Sequence, residues 1–182
     1  MKLFEATHIF GHSWDKLTLA SFRKYPNPFS PHVVSVDVVN RYVDPASGKL
    51  ITHRLVTMES GLPGWLSRVM GFTAAHCHVH ETSEVDPTTQ TMTLRTKNLS
   101  WSDLFTVEEM CQYAQDRNDA SRTVFTQEAR IHAFGSLATL RSRIEGAMLD
   151  RFRSTAAKGK EAIEFVCESL SLEQQEATIS SA

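Results

Sequence analysis

The chain has 182 residues, of which 41% are hydrophobic and 22% charged, and its formal net charge is -2. These values are typical of one globular domain and argue against a nucleic-acid-binding protein that relies on a strongly basic surface. No run of residues approaches the ~18 continuous apolar positions that a membrane-spanning helix needs.

The N-terminal segment, residues 1–10, is predicted to form a strand. It contains no apolar signal core, and the following residues add none. Glu5 and Asp15 are acidic, whereas mitochondrial presequences usually lack acidic residues. We therefore expect no cleavable targeting sequence at this end of the chain.

Residues 12–25 have the spacing of an amphipathic helix, with Ser13 as a suitable N-cap. The segment YPNPFSP, residues 25–31, ends this helix because its three prolines cannot continue it. We expect an extended and rigid connector here.

A series of strands follows, joined by short turns such as DPASGK and VDPTTQ. The predicted strands are residues 32–43, 49–58, 72–84, 91–99, 104–114 and 122–134. From residue 136 to about residue 170 the pattern changes to a helical period, which predicts one helix of roughly 50 Å.

This order predicts an α+β fold. Short turns imply an antiparallel sheet of about seven strands, which curls around the long C-terminal helix. Where the helix and the concave face of the sheet do not meet, a cavity remains. We assign residues 1–172 to one domain and residues 173–182 to a loose C-terminal tail.

The long helix carries basic residues on the face that should meet the sheet. At about 100° per residue, Arg151, Thr155 and Lys158 fall on the apolar stripe formed by Leu137, Leu140, Ile144, Met148, Ala162 and Val166. Buried cations are costly unless paired. Arg151 and Lys158 therefore pair with a strand carboxylate, extend to the rim, or face a cavity that receives an anion such as a phospholipid phosphate.

An apolar insert, ESGLPGWLSRVMGF at residues 59–72, lies between two predicted strands. It is either an amphipathic helix that caps the core or a lid that opens at a membrane interface, where Trp is favoured. Gly61, Gly64 and Gly71 would be the hinges of such a lid. Its apolar contact residues would be Leu62, Pro63, Trp65, Leu66, Val69 and Met70.

Other candidate sites are weaker. His76, His78 and His80 alternate along one strand face, but Cys77 and Val79 on the other face are the more apolar set and should point inward. We therefore predict exposed histidines and no metal site. Glu108 and Glu109 point to opposite faces, so they cannot act as an acid and base pair, and we predict no catalytic residues and no cofactor.

The stretch KYPNPFSPHVVSVDVVNR, with VDP, HRL, GLPGW and AAKGKEAIEFV, resembles the PRELI/MSF domain family over nearly the whole chain. The resemblance implies a phospholipid transfer protein of the mitochondrial intermembrane space without a cleavable presequence. It also implies a heterodimer with a small helical-hairpin protein of the twin-CX9C type, transient contact with membrane surfaces, and a lid helix after the third strand.

The resemblance also implies which residues contact the lipid headgroup: Lys24, His32, Arg151, Thr155 and Lys158. Family branches that favour phosphatidic acid tend to carry lysines just before the lid, where this chain has Met58 and Gly61. The motifs MKLF, HSWD, GLP and TQEA are similar to the slowmo-type branch, which implies phosphatidylserine.

Three functions remain open from the sequence. The first is a shuttle for phosphatidylserine, or for phosphatidic acid, between the mitochondrial outer and inner membranes. The second is a lipid-modifying enzyme built on a related cavity fold. The third is an interaction module that uses residues 62–72 as a docking surface and transfers nothing.

Overall fold

The computed structural model describes residues 1–59, 62–70, 76–134 and 139–180. Its elements, in chain order, are β1 (Lys2–Phe10), α1 (Trp14–Phe22), β2 (Val33–Val43), β3 (Leu50–Glu59), α2 (Gly64–Met70), β4 (His76–Asp86), β5 (Thr91–Asn98), β6 (Phe105–Gln115), β7 (Thr123–Ala133) and α3 (Arg141–Ser180). The predicted α+β class is confirmed.

The strands form one curled sheet of seven strands in the order β1-β7-β6-β5-β4-β3-β2, and every neighbouring pair is antiparallel. Strands β2 to β7 follow one another across the sheet, as hairpin connections require. Strand β1 pairs with β7, so the first and last strands of the chain are neighbours at one edge of the sheet and β2 forms the other edge. The turn between β2 and β3 has Gly48 at φ 69, a conformation that side chains disfavour.

Helix α3 packs on the concave face through two separate groups of buried side chains. The α1 cluster joins α1 to the C-terminal half of α3 and includes Phe10, Leu17, Met92, Ile163 and Cys167. The α2 cluster joins α2 to the N-terminal half of α3 and includes Leu66, Phe105, Ile131, Ile144 and Met148. The middle of α3 therefore crosses the sheet between two cores.

Helix α3 is longer than the periodicity predicts. Its 40 residues correspond to about 60 Å at 1.5 Å per residue. The helix continues through residues 173–180, the segment predicted to be a loose tail, and residues 173–179 are exposed. The predicted division into a domain of residues 1–172 and a tail of residues 173–182 stays a prediction.

Within the described ranges, no helix is both long enough and apolar enough to cross a membrane. The short helix α2 lies where the sequence predicts a lid or a cap. Of the predicted hinges, Gly61 and Gly71 lie outside the described residues, as do the side chains of Val69 and Met70.

Candidate functional site

A cavity of about 730 Å³ lies between the two clusters, enclosed by the concave face of the sheet and the middle of α3. This volume falls in the range of sites that hold a small organic molecule. Its walls combine apolar side chains, such as Val56, Leu94 and Val107, with charged ones. A cavity of this composition can take an amphipathic ligand.

A row of polar side chains crosses the floor of the cavity from strand to strand. The strand registers place Arg54 opposite Glu81, Glu81 opposite Thr96, and Thr96 opposite Glu109. We call these four residues the polar row. All four line the cavity, so the concave face carries charges at mid-sheet and is not a continuous apolar surface.

Arg54 and Glu81 form a buried ion pair at one end of the polar row. Nε of Arg54 donates to Oε1 of Glu81 at 2.6 Å, and the guanidinium donates a second time to the same oxygen through Nη2. The guanidinium also lies 5.6 Å from the centre of the Phe22 ring. The two charges of the pair therefore largely neutralise each other.

Glu109, at the other end of the polar row, is held by neutral donors. Its carboxylate accepts from Gln127 Nε2 at 2.6 Å, from Thr96 Oγ1 at 3.2 Å and from Cys111 Sγ at 3.3 Å. Burial and the neighbouring Glu109 carboxylate raise the pKa of the Cys111 thiol well above its ordinary value. Cys111 is therefore a neutral thiol at neutral pH and a poor nucleophile.

The five predicted headgroup residues, Lys24, His32, Arg151, Thr155 and Lys158, all line this one cavity. The three on α3 are exposed, so they lie at an open part of the cavity and not in a dry interior. Thr155 Oγ1 donates to the carbonyl oxygen of Arg151 at 3.1 Å. Their contact with a headgroup stays a prediction.

Arg151 and Lys158 form no ion pair with a carboxylate of the described residues. The pairing with a strand carboxylate that the sequence left open is therefore not found in this part of the chain. Arg153 differs, because its guanidinium lies 3.7 Å from Asp150 on the same helix and does not line the cavity. Two unneutralised cations at a cavity mouth favour an anionic ligand.

Lys24 and His32 stand at the two ends of the proline-rich connector. The connector is fixed to α3 because Nδ2 of Asn27 donates to the carbonyl oxygen of Ala162 at 3.1 Å, and Oδ1 of Asn27 accepts from the amide of Phe29 at 2.9 Å. The Tyr25–Pro26 peptide bond in it is cis. The connector thereby holds both side chains against the cavity.

The charges around the cavity act on each other. Burial would lower the pKa of Lys24, but Tyr25 and Glu109 raise it, and the net pKa lies above the ordinary lysine value. Burial and then the charges of Arg151, Lys158 and Lys24 lower the pKa of His32. Lys24 is therefore a cation and His32 a neutral imidazole at neutral pH.

Basic side chains outnumber acidic ones around the cavity. Among the described residues that line it, the basic ones other than histidine are Lys24, Arg54, Arg151, Lys158 and Lys160, and the acidic ones are Glu59, Glu81 and Glu109. The excess positive charge suits a ligand with net negative charge.

The predicted lid residues are divided between the cavity and the α2 cluster. Leu62 lines the cavity, and Leu66 is only 1% exposed within the cluster. Pro63 is half-buried, and the half-buried Trp65 lies under the guanidinium of Arg143, at 4.4 Å from the ring centre. Helix α2 is thus docked on the core, and its opening stays a prediction.

The histidine-rich strand has the orientation predicted from its alternation. Cys77 is buried, whereas His76 and His78 are exposed and His80 is half-buried. Cys77, His78 and Val79 all border the cavity. The ring of His80 stacks on that of His53 at 5.6 Å between ring centres. Among the described residues, no group of three or more metal-ligating side chains is placed to hold an ion.

The polar row was not predicted from the sequence, apart from the opposite directions of Glu108 and Glu109. That prediction is confirmed, since Glu108 forms an ion pair with Lys97 at 2.8 Å while Glu109 lines the cavity. The sequence does contain a signal for the rest of the row. Arg54 on β3 and Glu81 on β4 are charged residues at positions where the strand alternation places side chains on the inward face.

Comparison with solved structures defines the class of fold as a curled sheet with one long helix around a cavity. The fold resembles an aromatase/cyclase, Zhui, from a Streptomyces species, with a TM-score of 0.60 at 13% identity over 92% of this chain and 93% of that one. It also resembles Ara h 8.0201, with a TM-score of 0.56 at 14% identity over 92% of this chain and 98% of that one.

Sequence comparison then gives the family. The model of the PRELI-like family matches residues 15–174, and the chain belongs to that family. It is 36% identical to "Protein slowmo homolog" of Dictyostelium discoideum, over 90% of this chain and 71% of that protein. It is 39% identical to "Protein UPS2, mitochondrial" of Saccharomyces cerevisiae, over 88% of this chain and 70% of that protein. The resemblance to the PRELI/MSF family is therefore confirmed.

Proposed function

We propose that this protein carries a glycerophospholipid, with phosphatidylserine as the favoured cargo and phosphatidic acid as the alternative, between the outer and inner mitochondrial membranes. The lipid is extracted from the bilayer into the cavity and released at the second membrane. Membership in the PRELI-like family and a relative named mitochondrial support the proposal.

One observation carries the proposal furthest: the cavity of about 730 Å³ combines an apolar lining with the unpaired cations Arg151 and Lys158 at its open part. Acyl chains are stabilised against aliphatic walls by the hydrophobic effect. The lipid phosphate is stabilised by charge-assisted hydrogen bonds from Arg and Lys. Thr155, His32 and Lys24 complete the proposed headgroup contacts.

Helix α2 is the proposed lid, because it closely follows Leu62, which lines the cavity, and because its Trp65 suits a membrane interface. We further propose the intermembrane space as the location and a twin-CX9C helical-hairpin protein as the partner. Both rest on the family resemblance, and the partner is included in the transfer assay for that reason.

The test is transfer of fluorescent phosphatidylserine or phosphatidic acid between liposomes by the full chain together with the proposed partner. We expect Arg151→Glu and Lys158→Glu each to slow transfer by at least about tenfold, because each reverses a charge that faces the phosphate. The matched control is Arg153→Glu, which makes the same change on the same helix outside the cavity. Normal transfer by both cavity variants would contradict the proposed site.

A second function, a lipid-modifying enzyme, is suggested by the fold it shares with an aromatase/cyclase. Mass spectrometry of the lipid before and after incubation separates the two functions, since a carrier returns its cargo unchanged. An interaction module would purify without lipid, which native mass spectrometry of the protein detects.

A further inference from the structure

The floor of the cavity contains a carboxylate, Glu109, that forms no ion pair with the described residues. Glu109 accepts hydrogen bonds from Gln127, Thr96 and Cys111, all of which are neutral donors. No basic side chain of the described residues forms an ion pair with it. Glu81, the other acid of the polar row, differs because Arg54 neutralises it.

Next to Glu109 is a buried acceptor with no donor. Gln127 is 7% exposed and lines the cavity, and its Oε1 has no hydrogen-bond partner among the described residues. The orientation of this amide follows from its neighbour, because Nε2 donates to Glu109 at 2.6 Å and a flipped amide would place two acceptors in contact. An unpaired buried carbonyl oxygen is unfavourable unless a ligand supplies a donor.

A carboxylate without an ion-pair partner, beside a carbonyl oxygen without a donor, matches the chemistry of a primary ammonium group, which has three N–H donors. Lys24 does not fill this role, since it forms no ion pair with Glu109. Its Nζ instead lies beside α3, only 3.4 Å from the position that a side-chain carbon on Gly159 would take. The charge of Glu109 acts on Lys24 through space and raises the pKa of Lys24, but the two side chains are not in ion-pair contact, so the carboxylate remains open to a second cation.

This separation fits a headgroup that has both an anionic phosphate and an ammonium. We infer that Glu109, together with the free oxygen of Gln127, selects phospholipids with a primary ammonium over phospholipids without one, an inference that rests on the proposed function. Phosphatidylserine and phosphatidylethanolamine belong to the first class, and phosphatidic acid and phosphatidylglycerol to the second. The phosphate in this arrangement lies beside the basic residues.

The experiment compares the wild-type chain with Glu109→Gln in a transfer assay with liposomes that contain the four lipids in separate arms. Glutamine keeps the shape and accepts the hydrogen bond from Gln127, but it removes the charge. We expect transfer of the two ammonium lipids to fall about tenfold relative to the other two, the size of one lost charge-assisted hydrogen bond. Glu108→Gln, on the outer face of the same strand, leaves all four rates unchanged.

The outcomes of this assay separate the inference about Glu109 from the proposed function. If Glu109→Gln changes all four rates equally, or none, the inference is wrong and the proposed function stands. If the wild-type chain transfers none of the lipids, the proposed function fails and this inference fails with it. If Glu109→Gln does not fold, as judged by circular dichroism, Glu109→Asp replaces it. Aspartate keeps the carboxylate but has a side chain that is one methylene shorter, so its charge lies farther from the ammonium. We expect a smaller loss of transfer that is again selective for the two ammonium lipids.

Discussion

Glu145 fixes the first turns of α3 to the sheet. It is 4% exposed and accepts from the amide of Ala133 at 3.1 Å and from Nε of Arg141 at 3.2 Å. The amino group of Met1 lies 2.7 Å from its other oxygen. Burial by itself would raise the pKa of Glu145, but these hydrogen bonds lower it from 4.5 to about 2.

A lowered folded-state pKa gives stability that is present above the unfolded pKa and is lost as the pH falls through the folded pKa. We expect Glu145→Gln to lower the free energy of unfolding by about 1–3 kcal/mol at pH 7. The difference from wild type should shrink between pH 4.5 and about 2. Urea unfolding at several pH values measures it.

The control for this change is Glu168→Gln, because Glu168 is exposed on the same helix. We expect it to change stability by less than about 0.5 kcal/mol. A destabilisation by Glu145→Gln that is equally large at pH 2 and pH 7 would mean that packing, and not the carboxylate charge, fixes this part of α3.

At single positions, the sequence predicts side-chain direction better than side-chain partners. The alternation in β6 correctly separates Glu108 from Glu109 because the period of a strand is two. The partners of Glu109 depend on the register of β5 and β7 against β6, which places Thr96 and Gln127 beside it. Several registers satisfy the same alternation, so the polar row could not be predicted from a single strand.

For helices and strands, the local sequence pattern predicts the type of each element. It does not predict where the element ends or how it is placed against its neighbours. The three prolines of the connector predict an extended segment, yet its position against α3 depends on the bonds of Asn27 to Ala162 and Phe29. In the same way, the periodicity of α3 identifies its buried face but not its end. The turns after residue 172 are exposed and bury no face that a pattern could reveal.

Helix α2 can be tested as a lid through Leu66, which is 1% exposed in the α2 cluster. Leu66→Ala leaves a void that should cost about 2–5 kcal/mol locally. If α2 opens independently of the sheet, we expect hydrogen exchange of the amides in residues 64–70 to become at least about 30-fold faster. The midpoint of global unfolding should change little.

Ile131→Ala is the matched control, because Ile131 lies in the same cluster but on β7. This change should lower global stability and leave the exchange of α2 relative to the sheet unaltered. If Leu66→Ala lowers global stability as much as Ile131→Ala does, then α2 is a fixed cap of the core and the proposed lid is wrong.

For the whole molecule, the cavity divides the core into two clusters that share one helix. The residues of α3 between Met148 and Ala162 cross this gap, and Arg151, Thr155 and Lys158 are among them. A sheet and helix in full contact would bury more apolar surface and be more stable. The cavity therefore lowers the free energy of unfolding relative to a filled core. Such a loss is expected where a site has to stay open for a ligand.

Filling the cavity with larger side chains should therefore raise stability and slow lipid transfer. Val107 on β6 and Ala156 on α3 both line it, so Val107→Phe with Ala156→Leu adds apolar volume from two opposite walls. We expect each change to raise the free energy of unfolding by about 0.5–2 kcal/mol and the pair to slow lipid transfer by roughly tenfold.

Leu99→Phe is the control, because Leu99 is 49% exposed and an added ring there meets solvent. Urea unfolding and the liposome assay give the two readouts on the same preparations. A pair that is stabilised but still transfers lipid at the wild-type rate would mean that the acyl chains lie elsewhere, whereas a destabilised pair would mean that the walls have no room to accept the added groups.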